Sequence, residues 1–176
     1  MTTSNPNLIL VGFMGTGKTS TGLICAQRLN RPFLDMDDEL VRRAGKSIPR
    51  IFAEDGEPAF RAMEHDLVKE LASESGRVIA PGGGIVLNPA NIQAFATTGT
   101  VICLTATPEW ILRRVGNDTN RPLLQVDDKL AKIRELLAAR KPLYDAIPLQ
   151  IDTDGLTPAG AADLVIDQFL KLHPPA

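Results

Sequence analysis

Short apolar runs alternate along the chain with longer stretches in which apolar residues recur at helical spacing. Such runs, bounded by glycine, proline or polar residues, predict buried strands. We expect five strands, at residues 8–11, 33–36, 78–80, 100–104 and 149–152. The stretches between them predict amphipathic helices, including a long one at residues 127–140. This alternation predicts an α/β fold, a three-layer sandwich in which a five-stranded parallel sheet carries helices on both faces.

The first predicted strand runs into a glycine-rich segment, Gly12-Phe-Met-Gly15-Thr-Gly17-Lys18-Thr19, which fits the pattern GxxxxGK[ST] at every fixed position. A loop of this kind wraps an anion with backbone N–H groups, and the following helix adds its positive N-terminal dipole. A glycine-rich turn without a ligand is the alternative, but chance would give the full pattern in about one chain of this length in a hundred. The expected nucleotide contacts are Gly15, Thr16, Gly17, Lys18, Thr19 and Ser20, with Lys18 on the β- and γ-phosphates and the Thr19 hydroxyl on Mg²⁺.

Two acidic residues, Asp35 and Asp37, close the second predicted strand. On an extended backbone, side chains two residues apart point to the same side, which here opens onto the ligand crevice. Asp35 is therefore a candidate to support Mg²⁺ through its water shell, and Asp37 is placed to receive a proton or hydroxyl group from an acceptor. The alternative is that these acids only cap the following helix.

Three further features have both a functional and an ordinary interpretation. The triple glycine at 82–84 follows a strand, which favours close approach of a ligand to the backbone. Arg61 and Glu64 lie one helical turn apart, which is usual for an exposed ion pair. Arg140 stands at the predicted end of a helix, where a cation is favourable in any case.

The segment from residue 113 to about 124 is polar and rich in arginine, which is typical of a flexible lid. Arg121 lies near its end, where it would cover a transferring phosphoryl group. Trp110, just before this segment, is expected to pack rather than to recognise a ligand.

Composition narrows the class of protein. The chain has 176 residues, 44% of them hydrophobic and 23% charged, which fits one ordinary globular domain over residues 1–176. A net charge of -2 gives no basic field for nucleic acid. Cys25 and Cys103 lie in apolar segments and are expected to be buried thiols of a reducing compartment. With no run of membrane-spanning length and no secretory signal pattern, we expect a cytoplasmic monomer.

A phosphate-binding loop alone supports kinases, GTPases, motor proteins and passive nucleotide binders. The sequence contains no Asn-Lys-x-Asp segment for reading guanine. The strand at 100–104 ends in Thr105-Ala106 rather than in the acids of a motor ATPase. Low aromatic content gives little support for the second base pocket of a nucleoside monophosphate kinase.

Six motifs together resemble the shikimate kinase family, in order and with family-like spacing from about residue 8 to 158. They are GFMGTGKT at 12–19, DMD at 35–37, FAEDGEPAFRAME at 52–64, GGG at 82–84, RPLL at 121–124 and RKPLY at 140–144. The resemblance implies a P-loop fold of the nucleoside monophosphate kinase type. It also implies transfer of the ATP γ-phosphoryl group to the 3-hydroxyl of shikimate, in the pathway to chorismate. A kinase for another hydroxy acid such as gluconate, or an inactive nucleotide-binding module, are the alternatives.

The resemblance also implies roles for individual residues. Asp37 is implied as the acid that binds the shikimate hydroxyls and as a candidate base, and Asp35 as the acid near Mg²⁺. Arg121 is implied as the lid arginine that meets the phosphates, and Arg114 as the one stacked on adenine. The implied shikimate pocket consists of Arg61 and Arg140 on the carboxylate, Gly82 and Gly83 through their backbones, and Phe52 and Phe60 as its lining.

Overall fold

The computed structural model describes residues 5–119 and 121–175. Five strands form one parallel sheet in the order β2-β3-β1-β4-β5. The strands are β1 (Asn7–Gly12), β2 (Phe33–Asp35), β3 (Val78–Ala80), β4 (Gly99–Thr105) and β5 (Gln150–Asp152). The predicted five-stranded α/β sandwich is therefore confirmed, with small shifts at the strand ends.

Eight helices connect and cover these strands in the described part of the chain. They are α1 (Lys18–Leu29), α2 (Met36–Ala44), α3 (Ile48–Glu54), α4 (Glu57–Leu71), α5 (Pro89–Thr98), α6 (Pro108–Val115), α7 (Lys129–Asp145) and α8 (Pro158–Leu172). Two short 3₁₀ turns lie at Ile85–Leu87 and Pro122–Leu124. Within the described ranges, none of the helices combines the length and apolar character that crossing a membrane requires.

Strand β1 is the centre of the sheet, and every one of its residues is buried. Its successive side chains enter two different cores because neighbouring residues of a strand point to opposite faces. Ile9 and Val11 join the core beneath α4, α5 and α7, whereas Leu8 and Leu10 join the core beneath α1 and α8. A strand covered on both faces is apolar without alternation, which is why 8–11 stands out in the sequence.

The second strand ends one residue earlier than predicted, which changes the setting of the two acids. Strand β2 stops at Asp35, whose carboxylate accepts a hydrogen bond from the Asp38 backbone N–H at 3.1 Å and so caps α2. Asp37 consequently lies in the first turn of a helix, so the extended-backbone argument for it was wrong. The capping interpretation is correct for Asp35, because a side-chain oxygen there satisfies a free helical N–H.

Helix α7 is longer than predicted at its C-terminal end. Asp128 caps it by accepting from the Ala131 N–H at 3.0 Å, and it continues through Pro142 to Asp145. The prediction placed its end at Arg140, shortly before Pro142, and a proline usually interrupts a helix. Here the buried side chain of Tyr144 packs in the core beyond the proline and holds the last turn in place. Arg140 therefore lies inside the helix, and its interpretation as a C-terminal cation was wrong.

The predicted lid region, residues 113–124, has apolar anchors at both ends. It begins within α6, whose Val115 is buried, and it ends in the 3₁₀ turn, where Leu124 is fully buried. Among the described residues of the segment, 116–119 and 121 belong to no helix or strand, and Asn120 lies outside the described residues.

The central position of β1 makes its apolar side chains the most sensitive to truncation. Replacement of Leu10, which is 0% exposed, by alanine is expected to lower the free energy of unfolding by about 2–5 kcal/mol, because the cavity can collapse only partly. The same substitution at Leu23, which is 51% exposed on α1, should change it by about 0.5 kcal/mol or less. Urea unfolding followed by circular dichroism measures both. Equal losses in the two variants would contradict the placement of β1 in the core.

Candidate active site

A cavity of about 830 Å³ opens where the strands end. Parallel strands bring their carboxyl ends to one edge of a sheet, so residues far apart in sequence meet there. A smaller pocket of about 60 Å³ adjoins it. The residues that line both are Asp37, Ile48, Gly82, Gly83 and Arg121. The site thus has two compartments with a shared wall.

The phosphate loop, residues 12–19, forms the floor of the larger compartment. Gly15 and Gly17 have φ angles of 77° and 92°, which side chains other than glycine rarely adopt. The Thr16 hydroxyl donates to the Phe13 carbonyl at 2.8 Å, and the Lys18 ammonium donates to the carbonyls of Gly12 at 2.8 Å and Phe13 at 3.0 Å. These bonds fix the lysine against the loop, and helix α1 begins at Lys18.

The pKa of the Lys18 ammonium group is lower than that of an ordinary lysine. Removal from water within the loop lowers its pKa to about 8, and the positive charge of Arg121 acts in the same direction. The carboxylates of Asp37 and Asp35 oppose this shift without overcoming it. The lysine therefore titrates within the range in which enzymes are assayed.

Thr19 and Asp35 form an oxygen pair at the edge of the loop. The Thr19 hydroxyl donates to Asp35 Oδ2 at 2.5 Å, which joins the start of α1 to the end of β2. Hydroxyl and carboxylate oxygens suit a hard divalent cation such as Mg²⁺. In residues 5–119 and 121–175 no group of three or more His, Cys, Asp or Glu side chains could hold a metal alone. A cation here would take its remaining ligands from phosphates and water, as Mg²⁺ usually does.

Asp37 occupies the wall between the two compartments. Burial raises its pKa, and the neighbouring Asp35 carboxylate raises it further. Its Oδ1 atom is buried and has no hydrogen-bond partner among the described residues. A buried oxygen that lacks a donor is unusual and marks a place where a polar ligand group would fit.

Arg61 and Glu64 form an ion pair inside the smaller compartment, at 2.7 Å between Nη1 and Oε1. Glu64 is only 1% exposed, so the interpretation of this pair as an ordinary exposed one was wrong. Burial raises the pKa of Glu64 despite the attraction of Arg61. Glu64 Oε2 and Arg61 Nε are also buried without a hydrogen-bond partner in the part of the chain that is described.

Arg140 enters the same compartment from α7. It is 4% exposed, and its guanidinium carbon lies 5.7 Å from the centre of the Phe13 ring. Phe52 and Phe60 also line this pocket, with ring centroids 5.1 Å apart, and the Arg61 guanidinium lies 5.3 Å from the Phe60 ring. The structure thus brings together the two arginines and two phenylalanines that the resemblance implied as one pocket.

The triple glycine makes room for groups of the protein itself. A Cβ on Gly82 would lie 2.7 Å from Asp37 Oδ1, and one on Gly83 would lie 2.9 Å from the Met14 backbone nitrogen. A Cβ on Gly84 would collide with the Arg61 guanidinium. Gly82 and Gly83 also line both compartments, so this segment is close to the cavity and to the charged side chains together.

Two arginines of the lid region, Arg114 and Arg121, line the larger compartment. Arg121 Nε donates to Asp118 Oδ2 at 3.1 Å, and Arg121 lines both compartments. Arg114 donates to the Gly15 carbonyl at 3.0 Å and to the Thr153 carbonyl at 2.9 Å. It therefore ties the phosphate loop to the segment after β5, where Leu156, Thr157 and Pro158 line the cavity. The guanidinium groups of Arg113 and Arg114 lie over the Trp110 ring, which supports a packing role for Trp110.

Some residues of the site had no role in the sequence-based prediction. Phe13 and Met14 occupy variable positions of the loop pattern, yet both are buried against the smaller compartment or its lining. Glu64 could have been found, because it shares the buried face of α4 with Phe60, Leu67, Val68 and Leu71. A charged residue on an apolar stripe is expected to have a buried partner.

Comparison with known proteins agrees with this arrangement. The family model described as shikimate kinase matches residues 14–171. A protein of Pelotomaculum thermopropionicum named shikimate kinase is 45% identical over 167 residues, covering 95% of this chain and 96% of the relative. One of Desulforudis audaxviator with the same name is 47% identical over 165 residues, covering 94% and 86%.

Solved structures give the same result. Shikimate kinase from Acinetobacter baumannii in complex with shikimate has a TM-score of 0.86 and 38% identity, covering 96% of this chain and 93% of that one. A gluconokinase from Sinorhizobium meliloti has a TM-score of 0.63 at 14% identity, a likeness of fold alone. The family model, the full-length relatives and the two-compartment site agree, and the chain belongs to the shikimate kinase family.

Proposed function

We propose that this chain transfers the γ-phosphoryl group of ATP to the 3-hydroxyl of shikimate, giving shikimate 3-phosphate and ADP. One observation carries the proposal: a pocket with two guanidinium groups, Arg61 and Arg140, adjoins the phosphate-loop cavity across Asp37. Guanidinium forks match a carboxylate, and Asp37 lies between that pocket and the phosphates.

The alternatives fit the site less well. A gluconate kinase would need the phosphate loop but not this pair of arginines, and the gluconokinase likeness is limited to the fold. An inactive nucleotide-binding module would not need Lys18, Thr19, Asp37 and Arg121 together on one cavity wall.

The larger compartment is the proposed ATP site. The residues assigned to ATP all line it: Gly15, Thr16, Gly17, Lys18, Thr19, Ser20, Arg114 and Arg121. Backbone N–H groups of the loop and the N-terminus of α1 would bind the phosphates. We assign Arg114 to the adenine side, because its contacts with Thr153 place it beside the segment after β5.

Mg²⁺ is the proposed metal, held by the Thr19 hydroxyl and, through water, by Asp35. Bound there with ATP, it would offset negative charge on the phosphate oxygens. The same pair of oxygens already lies in contact, which supports the assignment.

The smaller compartment is the proposed shikimate site. Arg61 and Arg140 would bind the carboxylate, Gly82 and Gly83 would offer backbone contacts, and Phe52 and Phe60 would line the ring. The buried Arg61 Nε and Asp37 Oδ1 atoms would gain the hydrogen bonds that they lack among the described residues. Asp37 would orient the attacking hydroxyl and accept its proton, a role that its raised pKa favours.

Catalysis would then depend on position and charge. Lys18 and Arg121 would offset the charge that spreads over the transferring phosphoryl oxygens. Closure of the lid at 113–124 would exclude water and so limit wasteful hydrolysis of ATP.

We further propose that residues 1–176 act as a single-domain monomer in the cytoplasm, without nucleic-acid partners. The net charge of -2 supports the absence of nucleic-acid partners, and the buried free thiols of Cys25 and Cys103 support a reducing compartment.

The reaction itself is tested by ADP release from Mg·ATP with shikimate, with gluconate and without an acceptor. We expect release above background with shikimate alone, and mass spectrometry should show one added phosphate on the acceptor. Release with gluconate would favour the alternative kinase. Binding of ATP without release in any of the three reactions would favour the inactive module.

Asp37→Asn should reduce kcat by about 10²- to 10⁴-fold, because the amide cannot accept the proton of the hydroxyl. The affinity for Mg·ADP should stay within about threefold, since the change is nearly isosteric. Steady-state kinetics and calorimetric titration measure these two quantities. Asp66→Asn is the matched control, because its side chain is 77% exposed on α4 and should leave both unchanged. Normal turnover in Asp37→Asn would remove Asp37 from the mechanism.

Nucleotide binding should take up protons at alkaline pH. The Lys18 pKa of about 8 means that the amine is partly neutral at pH 8.5, and phosphates would favour its charged form. Affinity for ADP should therefore fall by up to about tenfold per pH unit above the Lys18 pKa. Calorimetry at pH 8.5 in two buffers of different ionisation enthalpy measures the uptake directly, with a titration at pH 7 as the control. Zero uptake at pH 8.5 would contradict the lowered pKa.

A further inference from the structure

Tyr144 connects two separate parts of the site. Its hydroxyl donates to the Gly83 carbonyl at 2.5 Å, a bond between residues 61 positions apart in the sequence. The side chain is 5% exposed and packs in the core, so the ring has little freedom to move. The bond thus joins the last turns of α7 to the glycine segment after β3.

The same helix face carries Arg140. Residues four apart lie one above the other on an α-helix, so the two side chains share the inward side of α7. The pKa of Tyr144 is raised to about 12 by burial, although the adjacent Arg140 guanidinium favours the ionised form. Arg140 and the Tyr144 hydroxyl are therefore near neighbours within one compact group.

Pro142 lies between Arg140 and Tyr144 in α7. A proline has no backbone N–H, so the helix lacks one hydrogen bond at this point. The bond from the Tyr144 hydroxyl to the Gly83 carbonyl is a side-chain contact that connects this part of α7 to another element.

The glycine segment is also confined from its other side. A Cβ on Gly83 would lie 2.9 Å from the Met14 backbone nitrogen, so the segment has no space to move toward the phosphate loop. The Tyr144 hydroxyl fixes it from the side of α7. The Tyr144 hydroxyl is therefore a direct link between the backbone of Gly83 and the helix that carries Arg140.

We propose that Tyr144 is a positioning residue for the phosphoryl acceptor. Its hydroxyl sets the spacing between the Arg140 guanidinium and the backbone of Gly82 and Gly83, so that a carboxylate and a ring hydroxyl of one molecule are bound together. The inference rests on the proposed shikimate site, and it assigns a role to the tyrosine of the RKPLY segment that the proposed contacts leave without one.

The test is Tyr144→Phe, which keeps the ring and removes only the hydroxyl. We expect kcat/KM for shikimate to fall about fivefold to tenfold, because the Gly83 carbonyl loses its donor. The KM for ATP should stay within about twofold, since Arg140, which shares the inward side of α7 with Tyr144, lines the smaller compartment and not the nucleotide cavity. Thr100→Val is the matched control, because it also deletes a hydroxyl, one that contacts His173 Nε2 at 2.7 Å at the opposite end of the sheet. That variant should leave both kinetic parameters unchanged.

A merely structural role would give a different pattern. Tyr144→Phe would then lower the melting temperature as Thr100→Val does and leave kcat/KM for shikimate intact, which would overturn the proposal. An equal rise in the KM of both substrates would overturn it too. If the unaltered protein fails to phosphorylate shikimate, the proposed function fails before this comparison begins.

A second measurement needs no variant. Tyr144 is the only tyrosine in the chain, so tyrosine labelled with ¹³C at the ζ carbon gives one NMR resonance. Saturating shikimate should shift this resonance, because Gly83, which accepts the hydrogen bond, lines the smaller compartment together with Arg140. Mg·ADP alone should shift it much less, because Arg140 does not line the larger compartment. A resonance that does not move with shikimate would overturn the proposal even if the substituted protein does not fold.

Discussion

Parallel pairing of β1 with both β3 and β4 is the constraint on which the rest of the structure depends. It places the phosphate loop, the glycine segment and the end of β4 at one edge of the sheet. Pairing of β2 with β3 then brings Asp35 beside them, although the four strands end at Gly12, Asp35, Ala80 and Thr105, far apart along the chain. No side chain of the site could be in place without this register.

The site brings together buried charged side chains whose hydrogen bonds are incomplete. Asp37, Arg61 and Glu64 each keep a buried polar atom without a partner among the described residues. Such atoms cost about 1–3 kcal/mol each in a folded protein. A pocket of this kind lowers the stability of the folded protein but provides polar atoms that a ligand can bind. The well-packed cores on both faces of the sheet offset that loss of stability. The charges also interact with one another, so the ionisation of Lys18, Asp37 and Glu64 is a property of the cluster.

Local patterns in the sequence predicted the strands and the phosphate loop, whereas Arg61, Arg140, Phe52 and Phe60 became candidates for the site only through the family resemblance. Continuous apolar runs are visible because β1 is covered on both faces, and the loop pattern is fixed by the geometry of anion binding. The order of the strands was not predictable in this way, since it depends on packing between distant elements. The helical setting of Asp37 was missed because the cap formed by Asp35 ends the strand early. Tyr144 gave no signal, because its partner is a backbone carbonyl of another segment.

The triple glycine has a consequence for how this site can change over generations. A Cβ at position 82 would meet Asp37, and a Cβ at position 84 would meet Arg61. The space that a side chain would need at each position is therefore taken by a charged neighbour. A side chain at position 82 would require Asp37 to shift, and one at position 84 would require the Arg61 guanidinium to move from its present place in the pocket. Substitution at either glycine would therefore change the position of a charged group of the pocket. Residues without a side chain are needed at 82 and 84 for these charges to stay where they are.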